Sequence, residues 1–316
     1  MSVSPEEVLS SFSLLWQAGV PLKDLCHWRI GGPADYVVTP RNPGEVLAAR
    51  DAARTCGLPF IVIGHGSNML FDDAGYRGIV IKIGSKFSGV SFEGTRVTAD
   101  AGVWVPSLAR LCASRGLAGL EHTVGIPGNL GGLVFMNGGS MRKNIGDVIK
   151  SVKILDREGC FRDLQTAECG FSYRHSVFQG SDYIILAAVL ELTQSTSEVV
   201  RRELLGVLKE RKGKFPLSLP NCGSVFSNSP DLYASYGPPG MVIDKAGLKG
   251  TRVGDAQVSP VHANFIVNLG NATSRDVFEL IGQVREHILK LTGFTLKCEV
   301  RYVSPDGRCD RLDLFL

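Results

Sequence analysis

The sequence predicts an α+β fold, because strand hairpins are interspersed with amphipathic helices along the chain. Val90–Ala99 alternates like a strand pair with a turn at its centre. Ser151–Leu155 and Cys160–Leu164 form a second pair, joined by a short turn. Between the two pairs, Pro106–Arg115 has the apolar periodicity of a helix, which Gly116 ends.

The other predicted elements follow in chain order. Ser4 caps the first helix and forms a capping box with Glu7, and Asn42-Pro43 begins a second helix that ends at Gly57. The remaining elements are predicted from apolar periodicity. The helices are Glu198–Lys212, Gly240–Ala246 and about Ser274 to Leu291. The strands are Asp35–Thr39, Pro59–Gly64, Gly78–Ile83, Tyr183–Leu192, Gln257–Ser259, Asn264–Asn268 and Thr295–Val303.

Composition is that of an ordinary soluble enzyme, with 44% apolar and 21% charged residues among 316. A net charge of +3 is too small to indicate a nucleic acid or a membrane as partner. The longest apolar run, Ile184–Leu190, is too short to span a bilayer, and no signal peptide is evident. The eight cysteines have no CxxC spacing, so no metal site or redox dithiol is predicted and the expected compartment is the cytoplasm.

A glycine-rich stretch, Val124–Ser140, is the most unusual part of the sequence. It carries glycine at positions 125, 128, 131, 132, 138 and 139. Because glycine weakens helix and strand interiors, the stretch is predicted to be neither an ordinary helix nor a strand. Its bare backbone N–H groups could approach phosphate oxygens, whereas the simpler alternative is a long surface loop.

A second glycine loop, Gly64–Asn68, favours the phosphate interpretation. Two such loops suggest a long ligand bound at two places, such as a dinucleotide. The loop has the spacing GHGSN and is followed by another strand instead of a helix, which excludes a Rossmann fingerprint. No G-x-x-x-x-G-K-[ST] motif occurs either. A dinucleotide site in this chain therefore requires a different fold.

Several short motifs occur in unbroken order over roughly residues 20–303. They are RIGGPA (29–34), GHGSN (64–68), GIPGNLGG (125–132) with MNGG (136–139), SYRHS (172–176), NCGSVFSN (221–228), AGLKGTRVGDAQVS (246–259), HANFIVN (262–268) and CEVRYV (298–303). Together they resemble the UDP-N-acetylenolpyruvoylglucosamine reductase family, flavoenzymes that complete UDP-N-acetylmuramate in peptidoglycan synthesis. The chain looks like the shorter branch, since little sequence separates Arg174 from Ser224. Asn129 and Ser227 depart from the usual pattern, which has a small hydroxyl residue and a basic residue there.

The resemblance implies a two-part FAD-binding unit of the vanillyl-alcohol oxidase type, followed by a smaller α+β substrate-binding domain. The FAD-binding domain is expected at residues 1–213, with parts at about 20–84 and 85–213. The substrate-binding domain is expected at 214–303. The tail, residues 304–316, lies outside the resemblance and has no predicted role, and no oligomeric state is predicted.

The implied reaction reduces the enolpyruvyl ether of UDP-N-acetylglucosamine enolpyruvate to a lactyl ether. No side chain donates hydride, so FAD, bound noncovalently, would be reduced by NADPH and would pass the hydride on. By resemblance, Arg174 stabilises the charge that develops on the substrate carboxylate. Ser224 donates the proton, and Glu299 polarises or orients the same intermediate.

Binding residues are also implied by the matched motifs. FAD would be held by both glycine loops, mainly through backbone N–H groups. The expected FAD-binding residues are Gly64, His65, Gly66, Ser67, Asn68, Gly125, Ile126, Gly128, Gly131 and Gly132. The expected substrate-binding residues are Tyr173, Lys214, Asn228 and His262. Lys214 and Asn228 are candidates for the substrate diphosphate or for the phosphates of NADPH.

Two other functions are consistent with the glycine loops. A flavin oxidase of the same fold, acting on an alcohol or a sugar, would retain the loops without Arg174, Ser224 and Glu299 as a set. A noncatalytic flavin- or nucleotide-binding protein would show no activity that depends on Ser224. The reductase is favoured, because all three predicted catalytic residues lie inside matched motifs.

Overall fold

The computed structural model of the protein describes residues 4–316, whose contacts divide the chain into two compact units. Unit 1 comprises the chain up to Gln17, Val37–His65 and Val80–Arg211. Unit 2 comprises Ala18–Tyr36, Gly66–Ile79 and Lys212–Leu316. The first three residues of the predicted FAD-binding domain lie outside the described residues, and the predicted domain bounds stay a prediction.

The helices and strands are short and mixed along the chain. The helices are α1 (Pro5–Ser11), α2 (Pro43–Thr55), α3 (Val105–Ser114), α4 (Leu130–Phe135), α5 (Ser197–Lys214), α6 (Pro230–Tyr236), α7 (Pro239–Lys245) and α8 (Ser274–Thr292). The first strands are β1 (Trp16–Pro21), β2 (Pro33–Val38), β3 (Phe60–Ile63), β4 (Met69–Phe71), β5 (Tyr76–Lys82), β6 (Val90–Glu93), β7 (Arg96–Asp100), β8 (Leu117–Ala118) and β9 (Ile149–Leu155). The later strands are β10 (Phe161–Gln165), β11 (Ile184–Glu191), β12 (Thr193–Gln194), β13 (Arg252–Val253), β14 (Ala256–Val258), β15 (Ile266–Asn268), β16 (Arg301–Val303) and β17 (Cys309–Arg311).

Unit 1 is built on an antiparallel sheet in the order β10-β9-β11-β7-β6. Both predicted hairpins are present in it, with Val90 opposite Ala99 and Phe161 opposite Leu155. The central strand β11 is apolar and buried along most of its length, as expected for a strand that pairs on both sides. The short helix α4, from the glycine-rich stretch, packs on β11.

Unit 2 is organised around α8, which buries Val277, Leu280, Ile281, Val284 and Ile288, whereas Leu291 at the end of the stripe is exposed. Thr273 and Asp276 form a capping box at its N-terminus, and Gly293 ends it in the left-handed conformation. Two small sheets belong to this unit, β13-β14-β15 and β17-β16-β4, and β4 runs parallel to β16. A further sheet has the order β1-β2-β5-β3, and the chain passes between the units within β1, β2 and β5.

Most predicted elements are present, but two predictions are corrected and some short elements were missed. The glycine-rich stretch does contain a helix, α4, which is only one to two turns long and includes Gly131 and Gly132. The strand predicted over Thr295–Val303 is regular only at β16, because the residues before it form an isolated bridge. Helix α6 and strand β4 were not predicted, since each is too short to show a clear period.

The tail is part of the fold of unit 2. Its strand β17 pairs with β16, so that Cys309 lies opposite Val303. Leu312 is fully buried, and Asp313 accepts a hydrogen bond from the Cys298 N–H at 2.8 Å. All eight cysteines are free thiols. Within residues 4–316, no helix is long and apolar enough to cross a membrane.

Candidate active site

Ser224 lies in unit 2 on a segment that pairs with the segment carrying Glu299. The Glu299 N–H donates to the Val225 carbonyl at 2.7 Å, and the Ser227 N–H donates to the Lys297 carbonyl at 3.0 Å. We call this pairing of Gly223–Ser227 with 297–299 the serine bridge. Two predicted catalytic residues, separated by more than seventy positions, are thus brought onto adjacent backbone segments.

A left-handed glycine precedes Ser224. Gly223 has φ +83°, and its N–H donates to the Asn221 side chain at 2.9 Å. No atom lies within 4 Å of the position that a Cβ on Gly223 would take, so the backbone angle alone requires the glycine. The neighbouring Cys222 is buried, and burial raises the pKa of its thiol well above the usual value, which fits a packing role.

Glu299 is held by residues on both of its sides. The Asn68 side-chain amide donates to the Glu299 carbonyl at 3.1 Å, and the Asn68 carbonyl accepts from the Arg301 N–H at 3.1 Å. The Val300 carbonyl accepts from the Leu312 N–H of the tail at 3.0 Å. The Asn68 side chain thus contributes to the position of Glu299, and its predicted role in binding FAD stays a prediction.

Arg174 lies in unit 1 in a tight turn, Ser172–Ser176, which we call the arginine turn. Ser172 and His175 exchange two backbone hydrogen bonds of 3.1 Å across it. Arg174 has φ +52°, which is unfavourable for a side chain with a Cβ and marks a constrained position. Its guanidinium donates to the Gly139 carbonyl at 3.1 Å and lies 5.3 Å from the ring centroid of Tyr173.

Two side-chain amides anchor the arginine turn. Gln179 donates to the Arg174 carbonyl at 2.9 Å and to the Phe135 carbonyl, at the end of α4, at 3.1 Å. Asn137 is 3% exposed and donates to the Ser172 carbonyl at 2.8 Å. The turn is therefore fixed to the end of the glycine-rich stretch.

Tyr173 is exposed at the rim of a cavity in unit 1. The cavity has a volume of about 460 Å³. Its walls are largely polar and include Asn137, Asp147 and Thr166 as well as Tyr173. The exposed Tyr173 ring is thus available to a ligand as an apolar face beside a charged side chain.

The two predicted FAD loops meet within unit 1. A Cβ on Gly64 would lie 3.0 Å from the Asn129 side-chain oxygen, so a larger residue there would press on the second loop. The Asn129 amide donates to the Gly102 carbonyl at 2.6 Å, and the Gly128 carbonyl accepts from the Val105 N–H at 2.9 Å. The unusual Asn129 therefore ties the glycine-rich stretch to the segment before α3.

The N–H groups at the start of α4 are used within the protein. Leu130 donates to the Val103 carbonyl at 2.9 Å, and Gly131 donates to the Ala101 carbonyl at 2.8 Å. A Cβ on Gly131 would lie 3.0 Å from the Ala101 side chain, whereas Gly132 has open space around that position. Gly131 thus serves close packing. Gly132 keeps its backbone accessible, and the role of each in binding FAD stays a prediction.

The remaining residues of the first loop have different surroundings. The His65 ring packs at 4.5 Å between centroids on Trp104, and burial, followed by the charge of Lys82, lowers the pKa of His65. Gly66 has φ +60°, and a Cβ there would lie 2.6 Å from the Leu25 carbonyl. Gly66 is therefore fixed both by its backbone angle and by a close approach of two chain segments. Ser67 is half-buried.

Lys214 and His262, both predicted to bind substrate, are neighbours in unit 2. Burial lowers the pKa of His262, and the charge of Lys214 lowers it further. His262 accepts the Asn264 N–H at 3.2 Å, and its ring lies 5.4 Å from that of Phe215. The fourth predicted residue, Asn228, is exposed just before α6.

Comparisons with known proteins identify the family of the chain. The family model for the C-terminal domain of UDP-N-acetylenolpyruvoylglucosamine reductase matches residues 215–303, and the model for the FAD binding domain matches residues 34–165. UDP-N-acetylenolpyruvoylglucosamine reductase 1 of Corynebacterium glutamicum is 43% identical over 94% of this chain and 89% of its own length. The chain belongs to the UDP-N-acetylenolpyruvoylglucosamine reductase family.

Other members of the UDP-N-acetylenolpyruvoylglucosamine reductase family match over nearly the whole chain. The relative from Heliobacterium modesticaldum is 38% identical over 95% of both chains. The crystal structure of the Thermus caldophilus reductase superposes with a TM-score of 0.78 at 33% identity, over 92% of this chain and 98% of that one. The recognised family and the α+β fold with an FAD-binding domain are thereby confirmed.

The residues of unit 1 fit the anionic diphosphate of FAD, the cofactor that a UDP-N-acetylenolpyruvoylglucosamine reductase requires. A Cβ on Gly125 would lie 2.2 Å from the Cδ of Arg211 and 2.3 Å from its Nε, so the arginine lies directly against the glycine backbone. Burial lowers the pKa of Arg211, yet a guanidinium stays charged at any physiological pH. Gly125, Gly132 and Arg211 would hold the diphosphate. The Ile126 N–H, by contrast, donates to the Thr123 carbonyl at 2.9 Å.

Sequence reasoning missed several residues that contact the predicted site residues. Arg211 stands in the charged helix α5, where nothing in the local pattern distinguishes it from solvated neighbours. The one signal was Gly125 itself, since glycine is used in loops for close approach of a neighbour as well as for unusual backbone angles. Asn137 stands within the motif MNGG (136–139), whereas Gln179 stands outside every matched motif, and the partners of both are distant carbonyl groups.

Proposed function

We propose that this protein catalyses the NADPH-dependent reduction of UDP-N-acetylglucosamine enolpyruvate to UDP-N-acetylmuramate, a step of peptidoglycan precursor synthesis in the cytoplasm. The observation that carries the proposal is the serine bridge, which pairs the segment of Ser224 with that of Glu299. The 43% identity to a reductase over 94% of the chain supports it. In this proposal residues 1–213 bind FAD and residues 214–303 bind the substrate.

The chemistry requires hydride at the methylene carbon of the enolpyruvyl group and a proton at the adjacent carbon. FAD, once reduced by NADPH, supplies the hydride. Negative charge then develops on the substrate carboxylate, and Arg174 stabilises it through a planar, two-point guanidinium contact. The arginine turn and the contact with Gly139 keep the guanidinium preorganised, so little conformational freedom is lost in the reaction.

Ser224 donates the proton in this proposal. A neutral hydroxyl is a weak acid, so it needs a partner that orients its proton or replaces it. Glu299, on the other side of the serine bridge, polarises the intermediate and orients it for protonation. The left-handed Gly223 sets the direction in which the chain enters Ser224.

The substrate-binding roles follow charge and exposure. Lys214 binds the substrate diphosphate. Its exposed ammonium group is a point charge on a flexible stem, so it can pair with an anion in more than one position. His262 stays neutral near neutral pH, since its pKa is lowered, and it offers a polar contact beside Lys214. Asn228 and Tyr173 complete the predicted set, Asn228 through its amide and Tyr173 through its exposed ring.

An anaerobic absorbance experiment on the purified protein tests this function. One equivalent of NADPH should bleach the flavin, and UDP-N-acetylglucosamine enolpyruvate should restore the colour without oxygen. A flavin that bleaches but recovers only when oxygen is admitted would indicate an oxidase instead. A colourless protein that cannot be reconstituted with FAD would contradict any flavin-dependent function.

A further inference from the structure

We infer that Asn264 is a positioning residue for Ser224, and that it controls the protonation step without affecting reduction of the flavin. This inference rests on the proposed function, in which Ser224 is the proton donor. Asn264 is 7% exposed and lies in unit 2, two residues before β15. Its neighbour His262 was predicted to bind substrate, whereas Asn264 itself was assigned no role.

Asn264 makes three hydrogen bonds to the residues that follow Ser224. Its backbone carbonyl accepts from the Val225 N–H at 2.8 Å. Its side-chain oxygen accepts from the Phe226 N–H at 2.9 Å, and its side-chain amide donates to the Phe226 carbonyl at 2.9 Å. The side chain thus acts as a peptide group would in a β-ladder and satisfies both polar groups of one buried residue.

The bonds from Asn264 complete the hydrogen bonding of the serine bridge. The Val225 carbonyl is already bound by the Glu299 N–H, and the Ser227 N–H is bound by the Lys297 carbonyl. With Asn264 in place, every backbone polar group of Val225 and Phe226 has a partner. The backbone that follows Ser224 is therefore fixed. Only the backbone torsions of Ser224 and Gly223 can still change locally.

Loss of the Asn264 amide would release one side of the bridge. The Phe226 N–H and carbonyl would be left buried without partners, and the backbone would shift to reach other groups. A shift of about 1 Å at a catalytic group costs about 10²-fold in rate. Hydride transfer from NADPH to the flavin does not use Ser224 and would keep its rate.

The test is a rapid-mixing comparison of the two half-reactions in the FAD-loaded enzyme. The variants are Asn264→Ala and Asn264→Asp, since aspartate retains the acceptor for the Phe226 N–H. Asn268→Ala is the matched control. Asn268 is 2% exposed in the same unit, and its side chain bonds to Trp28, Gly270 and Ala272 but not to the serine bridge.

The expected result is a loss specific to the second half-reaction. In Asn264→Ala, reoxidation by the enolpyruvyl substrate slows about 10²-fold with a larger solvent deuterium isotope effect, while reduction by NADPH is unchanged. Asn264→Asp is intermediate, and Asn268→Ala keeps the wild-type ratio of the two rates. Amide hydrogen exchange at Phe226 rises in Asn264→Ala alone, which gives a readout independent of turnover.

Two outcomes overturn the inference. Equal slowing of both half-reactions in Asn264→Ala, or the same ratio in Asn264→Ala and Asn268→Ala, would make Asn264 merely structural. Unchanged exchange at Phe226 in Asn264→Ala would show that the amide does not fix the serine bridge. Failure of the wild-type enzyme itself to be reoxidised by the enolpyruvyl substrate would instead contradict the proposed function.

Discussion

The arginine turn of unit 1 and the serine bridge of unit 2 hold their catalytic residues in different ways. Arg174 has an unfavourable left-handed backbone within a turn closed by near neighbours. Near Ser224 the left-handed position falls one residue earlier, on Gly223, which adopts it without steric cost, and the segment has a backbone partner near the end of the chain. Arg174 thus carries backbone strain itself, whereas the segment of Ser224 avoids that strain by placing a glycine at the left-handed position.

The difference follows from what each residue has to do. A guanidinium stands on a long, flexible side chain, so rotation of that side chain can compensate for a small displacement of the backbone. A turn closed only by near neighbours is therefore sufficient to position it. A serine hydroxyl reaches only one bond beyond Cβ, so its position is set by the backbone itself. The serine bridge accordingly has partners on every side, including Asn264 and the Glu299 N–H.

Apart from that of Ser224→Ala, the largest expected effect is that of Arg174→Lys, which keeps the charge but loses the planar fork. Reoxidation by the enolpyruvyl substrate should slow by about 10²- to 10³-fold, since one preorganised donor to a developing charge is lost. Rapid mixing measures the rate. Arg142→Lys is the control, because Arg142 also has a left-handed backbone in unit 1 and lies outside the arginine turn. Equal loss in both variants would contradict a specific role.

Acid should weaken unit 1 through His122, which burial and then Lys143 hold at a pKa of about 4, below the usual 6.5. The unfolded chain binds this proton more readily, so the stability due to His122 is full above pH 6.5 and is lost as the pH falls towards 4. The loss amounts to about 3 kcal/mol.

Urea denaturation at several pH values measures this effect of His122. His122→Leu cannot take up the proton, so its free energy of unfolding should fall less between pH 6.5 and 4 than that of the wild type. Parallel curves for the two proteins would show that His122 is protonated equally in the folded and unfolded chains. Unit 1 would then gain no acid sensitivity from this residue.

Gly223→Ala should destabilise the fold by about 1–2 kcal/mol, because alanine is disfavoured at a left-handed position. It should also slow reoxidation more than flavin reduction, since Ser224 is the next residue. Gly206→Ala, in the exposed part of α5 with open space around its Cβ position, is the matched control and should stabilise by about 0.5–1 kcal/mol. A Gly223→Ala variant that is as stable as the wild type in thermal unfolding would show that position 223 does not require glycine.

The smallest effect concerns strain in the arginine turn. Arg174→Gly should be about 0.5–1 kcal/mol more stable than Arg174→Ala, because glycine adopts φ +52° without steric cost. At Arg110, within α3, the order should be reversed. Arg110→Ala should be more stable than Arg110→Gly, since glycine weakens a helix interior. If alanine were the more stable residue at position 174, the turn would carry no strain.

Much of the fold could be predicted because its signals are local. The capping box at Ser4, the hairpin at Val90–Ala99 and the stripe of α8 each lie within one short window of sequence. The helix within the glycine-rich stretch was missed, since its stability comes from packing on β11 and from bonds to Ala101 and Val103. Such contacts override the low intrinsic propensity of glycine.

Only those site residues that stand within short sequence motifs could be predicted. Arg174, Ser224 and Glu299 each stand within one, yet no spacing in the sequence shows that positions 225 and 299 are paired. Asn68 and Asn264 stand within motifs too, but their function depends on carbonyl groups about 230 and 38 positions away. Long-range hydrogen bonds of this kind produce no periodic pattern in the sequence.

Ser224→Ala tests the central claim most directly, with Ser227→Ala as the control, because Ser227 lies on the same bridge and its hydroxyl donates to the Lys297 carbonyl at 3.2 Å. Each FAD-loaded variant would be mixed anaerobically with NADPH and then with UDP-N-acetylglucosamine enolpyruvate. For Ser224→Ala we expect unchanged bleaching and reoxidation slowed by about 10²- to 10⁴-fold, the range for loss of a general acid. Bleaching that is abolished in Ser224→Ala, or reoxidation as fast as in Ser227→Ala, would contradict the account.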